Sequence, residues 1–126
     1  MVAPNSALIV DDEQHVRLYV KLVLKSLGIQ QFFEAENGAA GVDAYAEHKP
    51  ELVLMDVSMP IMDGVSALRK INETDPTALV IMLTSMASRE TVEECAESGA
   101  INFIRKDVPR EELANLLRET LHDYCE

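Results

Sequence analysis

The chain has 126 residues, 48% of them hydrophobic, and a net charge of −11 from 22 acids against 11 bases. That length suits one domain with one core. The charge opposes non-specific binding to nucleic acid or to an anionic membrane, both of which need basic surface. Even the densest basic stretch, "RKDVPREE", has acids mixed through it.

The longest apolar runs are strand-length, far short of the roughly 20 residues that span a bilayer. The N-terminal "MVAPNS" has neither the basic start nor the apolar segment of a signal peptide. A cytoplasmic location is the expectation. Cys95 and Cys125 lack CxxC spacing, so free thiols are expected rather than a zinc site or a disulfide framework.

In chain order, short apolar runs alternate with longer amphipathic stretches. "ALIV" (Ala7 to Val10) ends at Asp11. From Glu13 to Leu27, Val16, Val20, Val23, Leu24 and Leu27 recur at helical spacing, and Gly28 follows as a stop. Leu18, Tyr19 and Leu22 widen that helix's apolar face beyond one buried stripe. "QFFEA" (Gln31 to Ala35) is a weaker strand. A second helix runs from about Ala39 to His48 and stops before Pro50. "LVLM" (Leu52 to Met55) ends at Asp56. Asp63 is the expected N-cap of a third helix with Val65, Leu68 and Ile71 on one face. "ALVIML" (Ala78 to Leu83) ends at Thr84. Ser88 caps a fourth helix, which ends at Gly99. "INFI" (Ile101 to Ile104) precedes Arg105 and Lys106. Pro109 then opens a fifth helix with Leu113, Leu116, Leu117 and Leu121 as its stripe.

Three of the strand runs are continuous rather than alternating, as strands covered on both faces of a parallel sheet are. The pattern is (βα)5, an α/β chain whose parallel strands joined by right-handed crossovers make an open, doubly wound sheet. Such sheets bind ligands beyond the carboxyl ends of their strands. Asp11, Asp12, Asp56, Thr84 and Lys106 fall at or just past those ends, on four different strands, and a parallel sheet puts all of those ends on one edge.

Carboxylates gathered there repel one another. Two unit charges about 4 Å apart cost on the order of 4 kcal/mol at an effective dielectric near 20. A proton or a cation must relieve this. Oxygen-only ligands favour Mg²⁺, with Mn²⁺ tolerated. The cation and the lysine together neutralise a phosphoryl group, the threonine hydroxyl bonds one of its oxygens, and an aspartate is a competent nucleophile toward phosphorus. Glu13 reads as a first-turn acid favoured by the helix dipole. His15, His48 and His122 read as surface residues, and the methionines mostly as core fill.

The ordered set "VDDE" (Asp11, Asp12), "LVLMDVSMPIMDG" (Asp56), "MLTS" (Thr84) and "NFIRK" (Phe103, Lys106) resembles the response-regulator receiver domain of two-component signalling, of the chemotaxis-type single-receiver kind. The resemblance covers nearly the whole chain. It implies a flavodoxin-like five-stranded sheet in the order 2-1-3-4-5, with residues 1–126 as a single receiver domain. It implies that Asp56 is the phosphoacceptor and that Asp12, Asp56 and the backbone carbonyl of Ser58 hold Mg²⁺, with Asp11 acting on the ion mostly through water. Lys106 would pair with Asp56 and then with the phosphoryl group. Thr84 would hydrogen-bond that group, and Phe103 would turn inward as the threonine moves. Ser58 and Met86 would tune the lifetime of the aspartyl phosphate, with Met86 unable to orient water, so that a moderately long-lived adduct is expected. The implied donor is a histidine kinase or a phosphotransfer protein, docking on the first helix and the loop after the fifth strand. The implied output is through an unknown downstream protein, through relay of the phosphate, or through a longer regulator of which this chain is a part.

One departure stands out. In the family the lysine is usually followed by proline in a cis peptide, whereas here Asp107 follows Lys106 and the proline comes at Pro109. A cis bond before a non-proline residue costs about 2.5–4 kcal/mol, so a trans bond or an altered loop is expected. Two competing functions remain. One is a Mg²⁺-dependent phosphohydrolase with an aspartyl-phosphate intermediate, which generally needs a second acid where Ser58 stands. The other is a receiver-like interaction module that takes no phosphate.

Overall fold

The computed structural model describes residues 4–85 and 88–124. Ten elements alternate along the chain: β1 (Ser6–Val10), α1 (Gln14–Ser26), β2 (Gln31–Ala35), α2 (Gly38–His48), β3 (Leu52–Asp56), α3 (Gly64–Thr74), β4 (Val80–Thr84), α4 (Arg89–Glu97), β5 (Asn102–Arg105) and α5 (Arg110–Tyr124). The strands form one sheet in the order β2-β1-β3-β4-β5, and every pairing is parallel. The expected class and strand order are therefore those of the molecule.

The two-residue period of a strand divides the apolar runs between two layers. Ala7, Ile9, Leu52, Leu54, Ile81, Leu83 and Ile104 face α1 and α5, where Val20, Val23 and Leu24 meet Leu113, Leu117 and Leu121. Leu8, Val10, Val53, Met55, Val80 and Met82 face the opposite layer, with Tyr45 of α2, Leu68 and Ile71 of α3, and Cys95 of α4. All five residues of β1, β3 and β4 are buried, which is why these runs are continuous in the sequence. Edge strand β2 is buried only at Ala35, and its pattern is correspondingly weak.

Helix ends follow local chemistry. Asp63 accepts from the Ser66 N–H and Ser88 from the Thr91 N–H, as expected. Asn37 caps α2 by accepting from the Ala40 N–H. Gly28 and Gly99 sit at φ +99° and +109° just beyond α1 and α4, the left-handed geometry that ends a helix. Strand ends shift by one or two residues. β4 starts at Val80 rather than Ala78, because the Ala78 N–H is held in a turn by the Asp75 carbonyl. β3 and β4 each run one residue further, taking in Asp56 and Thr84.

The broad apolar face of α1 also separates. Tyr19 packs on the core layer under α1 and α5, but Leu18 and Leu22 stay exposed, at 57% and 44%. They are surface, not an extended core face. No helix among the described residues is long and apolar enough to cross a membrane.

Candidate functional site

The carboxyl edge of the sheet brings the predicted residues together. Asp11 directly follows β1, Asp56 ends β3, Thr84 ends β4 and Lys106 directly follows β5. Asp11, Asp56 and Thr84 are buried, while Asp12 is exposed. Register explains the convergence. Val10 pairs with Met55, Asp56 with Leu83, and Thr84 with Arg105, so the residues that end these strands line up along one edge.

Lys106 is the cation among these acids, with only 10% of its side chain exposed. Its Nζ lies 2.8 Å from Asp11 Oδ2, 3.3 Å from Asp56 Oδ2 and 3.7 Å from Glu13 Oε1. The expectation paired it first with Asp56. Both carboxylates share it here, and the shorter distance is to Asp11. The other Asp11 oxygen accepts the Glu13 N–H at 2.9 Å, so both oxygens of that carboxylate are engaged. Glu13 departs from its reading as a first-turn acid. It is the N-cap of α1, its side chain takes no capping hydrogen bond, and its carboxylate instead borders Lys106.

Burial pushes the Asp56 carboxyl up to about 6, and the Asp11 charge adds to the rise, while Lys106 pulls it back. Burial disfavours the Lys106 ammonium, but the hydrogen bond to Asp11 and the charges of Asp56 and Asp11 outweigh that and hold it above the usual lysine range. One ammonium does not fully offset burial and the crowded carboxylates, so Asp56 gives up its proton at a higher pH than an ordinary aspartate does. Asp11, Asp12 and Asp56 each offer an oxygen, all within 4.8 Å of one another. A donor set of carboxylate oxygens, with no nitrogen or sulfur, fits a hard divalent cation.

Arg17 of α1, which sequence reasoning passed over, braces this edge. Its Nη1 donates to the Asp11 carbonyl at 2.7 Å and its Nε donates to Glu34 of β2 at 2.9 Å. In the sequence it is one more charged residue on a helix. Only the packing of α1 across β1 and β2 turns it toward the acids.

The remaining expected residues fall as follows. Ser58, whose carbonyl the resemblance adds to the cation ligands, is in the exposed loop after β3. That loop is held at its far end, where the Gly64 N–H donates to the Val57 carbonyl at 2.8 Å and the Gly38 N–H to the Met62 carbonyl at 3.0 Å. Phe103 is half-buried on β5, packed against the layer that contains Cys95. Met86 lies outside the described residues, as does Cys125. Among the described residues no peptide bond is cis, so the bond between Lys106 and Asp107 is trans, as expected.

A family model described as the response regulator receiver domain matches residues 7–118. The chemotaxis protein CheY of Bacillus subtilis is 39% identical over 115 residues, which cover 91% of this chain and 96% of that relative. CheY of Thermotoga maritima is 38% identical over 99 residues, covering 79% of this chain and 82% of that one. Among solved structures, the CheX–CheY complex of Borrelia burgdorferi with BeF₃ and Mg²⁺ contains a chain that superposes with a TM-score of 0.88 at 30% identity, covering 98% of this chain and 92% of the other. A CheY-like receiver domain of Methanospirillum hungatei superposes with a TM-score of 0.86 at 27% identity, covering 97% of each. The motif residues, the strand order and these matches agree: this chain belongs to the response-regulator receiver-domain family of two-component signalling.

Proposed function

We propose that Asp56 accepts a phosphoryl group from a phosphohistidine on a histidine kinase or phosphotransfer protein, with Mg²⁺ as the natural cation and Mn²⁺ as a substitute. Residues 1–126 then act as one receiver domain in the cytoplasm, signalling by the face shown to a downstream protein. The observation that carries this is the buried Asp56 carboxylate at a strand end, 3.3 Å from a buried lysine and grouped with two further acids.

Asp12, Asp56 and the Ser58 carbonyl would hold the cation, with Asp11 acting on it mostly through water. When bound, the ion supplies positive charge that stabilises Asp56 as a carboxylate and neutralises phosphoryl oxygens. An Asp56 oxygen attacks phosphorus, the P–O bond forms as the P–N bond to imidazole breaks, and the leaving nitrogen takes a proton from water. Lys106 moves its ion pair from Asp56 to the phosphoryl oxygens. Thr84 donates its hydroxyl to one of them. Phe103, which has no O–H to donate, follows by packing. Ser58 and Met86, each two residues past a site residue, set how readily water reaches the adduct.

Exposed Leu18 and Leu22 on α1 support docking of the donor there. An open cavity of about 290 Å³ is lined by Lys106 together with His15, Val16, Tyr19, Ser85 and Asp107. The Borrelia relative, seen with CheX, BeF₃ and Mg²⁺, supports both a protein partner and the choice of ion.

The test is intact-mass spectrometry after incubation with phosphoramidate, with and without Mg²⁺, on this chain and on Asp56→Asn. The expected result is a single Mg²⁺-dependent, alkali-labile phosphoryl adduct that the variant lacks. An adduct of equal yield in Asp56→Asn would overturn the assignment. Turnover of a phosphate ester would favour a phosphohydrolase, and Mg²⁺ binding without an acylphosphate, even from a kinase, would favour a docking module.

A further inference from the structure

Lys106 stands between two charged residues of opposite sign, and these two bind each other. Arg105 Nε donates to Asp107 Oδ1 at 3.1 Å and Arg105 Nη2 donates to Asp107 Oδ2 at 2.8 Å. The same Nη2 donates to the Ser85 carbonyl at 3.3 Å, in the link between β4 and α4. Arg105 and Asp107 meet on the exposed side of the turn that follows β5, while the Lys106 side chain reaches in toward Asp11 and Asp56.

We propose that Arg105 and Asp107 are positioning residues for Lys106. Their two-bond fork, anchored to the Ser85 carbonyl, holds the segment after β5 so that the Lys106 ammonium stays between the two buried carboxylates. The proposal rests on the reading of Asp56 as phosphoacceptor only for its effect on phosphorylation, not for its effect on Lys106 itself.

Three features separate this from an ordinary surface ion pair. Its geometry is bidentate, which restricts both side chains and adds direction to charge. Its partners are two residues apart, so little chain has to be ordered to make it. It also bears on a segment with sparse backbone bonding: Val108 packs on the core layer under α1 and α5, but among the described residues the Lys106 N–H to the Thr84 carbonyl at 2.8 Å is the one backbone hydrogen bond from positions 106–108 to another element. A lysine carries four rotatable side-chain bonds, so a backbone shift at its root moves its ammonium. Misplacing a reacting charge by about 1 Å is enough to lower a rate on the order of 100-fold.

Two readouts test this on the full chain. The first is the reactivity of the Lys106 amine toward an acetylating N-hydroxysuccinimide ester, followed by peptide mass spectrometry without metal or phosphodonor. Lys49 and Lys70 serve as internal controls. Asp107→Ala and Arg105→Ala are expected to raise Lys106 labelling several-fold and leave both controls unchanged. Asp107→Glu, which keeps a carboxylate, is expected to restore much of the protection. The second readout is the initial rate of Mg²⁺-dependent phosphorylation by phosphoramidate, expected to fall roughly tenfold in Asp107→Ala. In a Lys106→Ala background the same change is expected to do nothing more, because the fork acts through the lysine. Unchanged Lys106 labelling in both fork variants would overturn the proposal. So would an equal loss of rate with and without Lys106. If the unaltered chain takes no phosphate while the fork variants expose Lys106, the positioning role stands and the phosphoacceptor reading fails.

Discussion

The Lys106 ammonium lies closer to Asp11, at 2.8 Å, than to Asp56, at 3.3 Å. The Lys106 ammonium is therefore shared, and neither carboxylate has it alone. Sharing leaves Asp56 under-compensated, consistent with a carboxyl pushed up to about 6 by burial and by the Asp11 charge.

Removing the lysine charge is expected to raise the Asp56 carboxyl further. Lys106 is the one group acting to lower it, through charge and a hydrogen bond, against burial and the charges of Asp11 and Asp12. In Lys106→Met without divalent cation, carboxyl ¹³C titration is expected to place Asp56 clearly above its value in the unaltered chain. A midpoint that stays the same or falls would mean that Lys106 does not govern Asp56 in solution.

Asp56→Asn is expected to be more stable than the unaltered chain at neutral pH in chelator. The sign follows from the direction of the shift. A carboxyl raised in the folded state binds its proton more tightly there than in the unfolded chain, so folding is favoured at low pH and loses stability as pH rises from about 4 to about 6. The full loss is on the order of 2–3 kcal/mol. Urea denaturation is expected to show the variant ahead by about 1–3 kcal/mol at pH 7.5, with the gap closing near pH 4. Adding Mg²⁺ is expected to stabilise the unaltered chain and narrow the gap from the other side. Equal stability at every pH would refute the crowded-carboxylate account.

Gly64 opens α3 with its Cα against the end of β3. A Cβ there would fall on the Asp56 carbonyl and press on the Met82 methyl. The close approach, not a left-handed backbone, is what calls for glycine. Gly64→Ala is expected to cost about 1–3 kcal/mol and to lower the phosphorylation rate as well, because the atom displaced is the carbonyl oxygen of Asp56, the proposed acceptor. A thermal melt together with the phosphoramidate assay checks both, and an alanine variant as stable and as reactive as the parent would show that the loop yields freely.

Much of the candidate site was legible along the chain because its chemistry sits where a periodic pattern stops. Asp11, Asp56 and Thr84 each end a continuous apolar run, and Lys106 comes one residue after Arg105, the last of β5. Parallel architecture then requires these ends to share an edge. Glu13 and Arg17 were not legible in the same way. Both sit in a charged, amphipathic stretch where a capping acid or a solvated arginine is the ordinary reading. Their contacts reach Lys106, Glu34 and the Asp11 carbonyl, partners on other elements. For Leu18 and Leu22 helical spacing alone could not separate a wide core face from a docking face, and α1 turns both outward.

Residue pattern alone determined the class, the alternation of elements and the residues gathered at the sheet edge, because strand and helix periods and their end signals are local properties of the chain. Tertiary structure decided how the charges are apportioned: Lys106 nearer Asp11 than Asp56, Arg17 on the Asp11 carbonyl, and Arg105 tied to Asp107 and Ser85. The sharing of Lys106 rests on a difference of half an ångström between side chains that follow or end separate strands. Only the packed register of the sheet and its helices sets distances that fine.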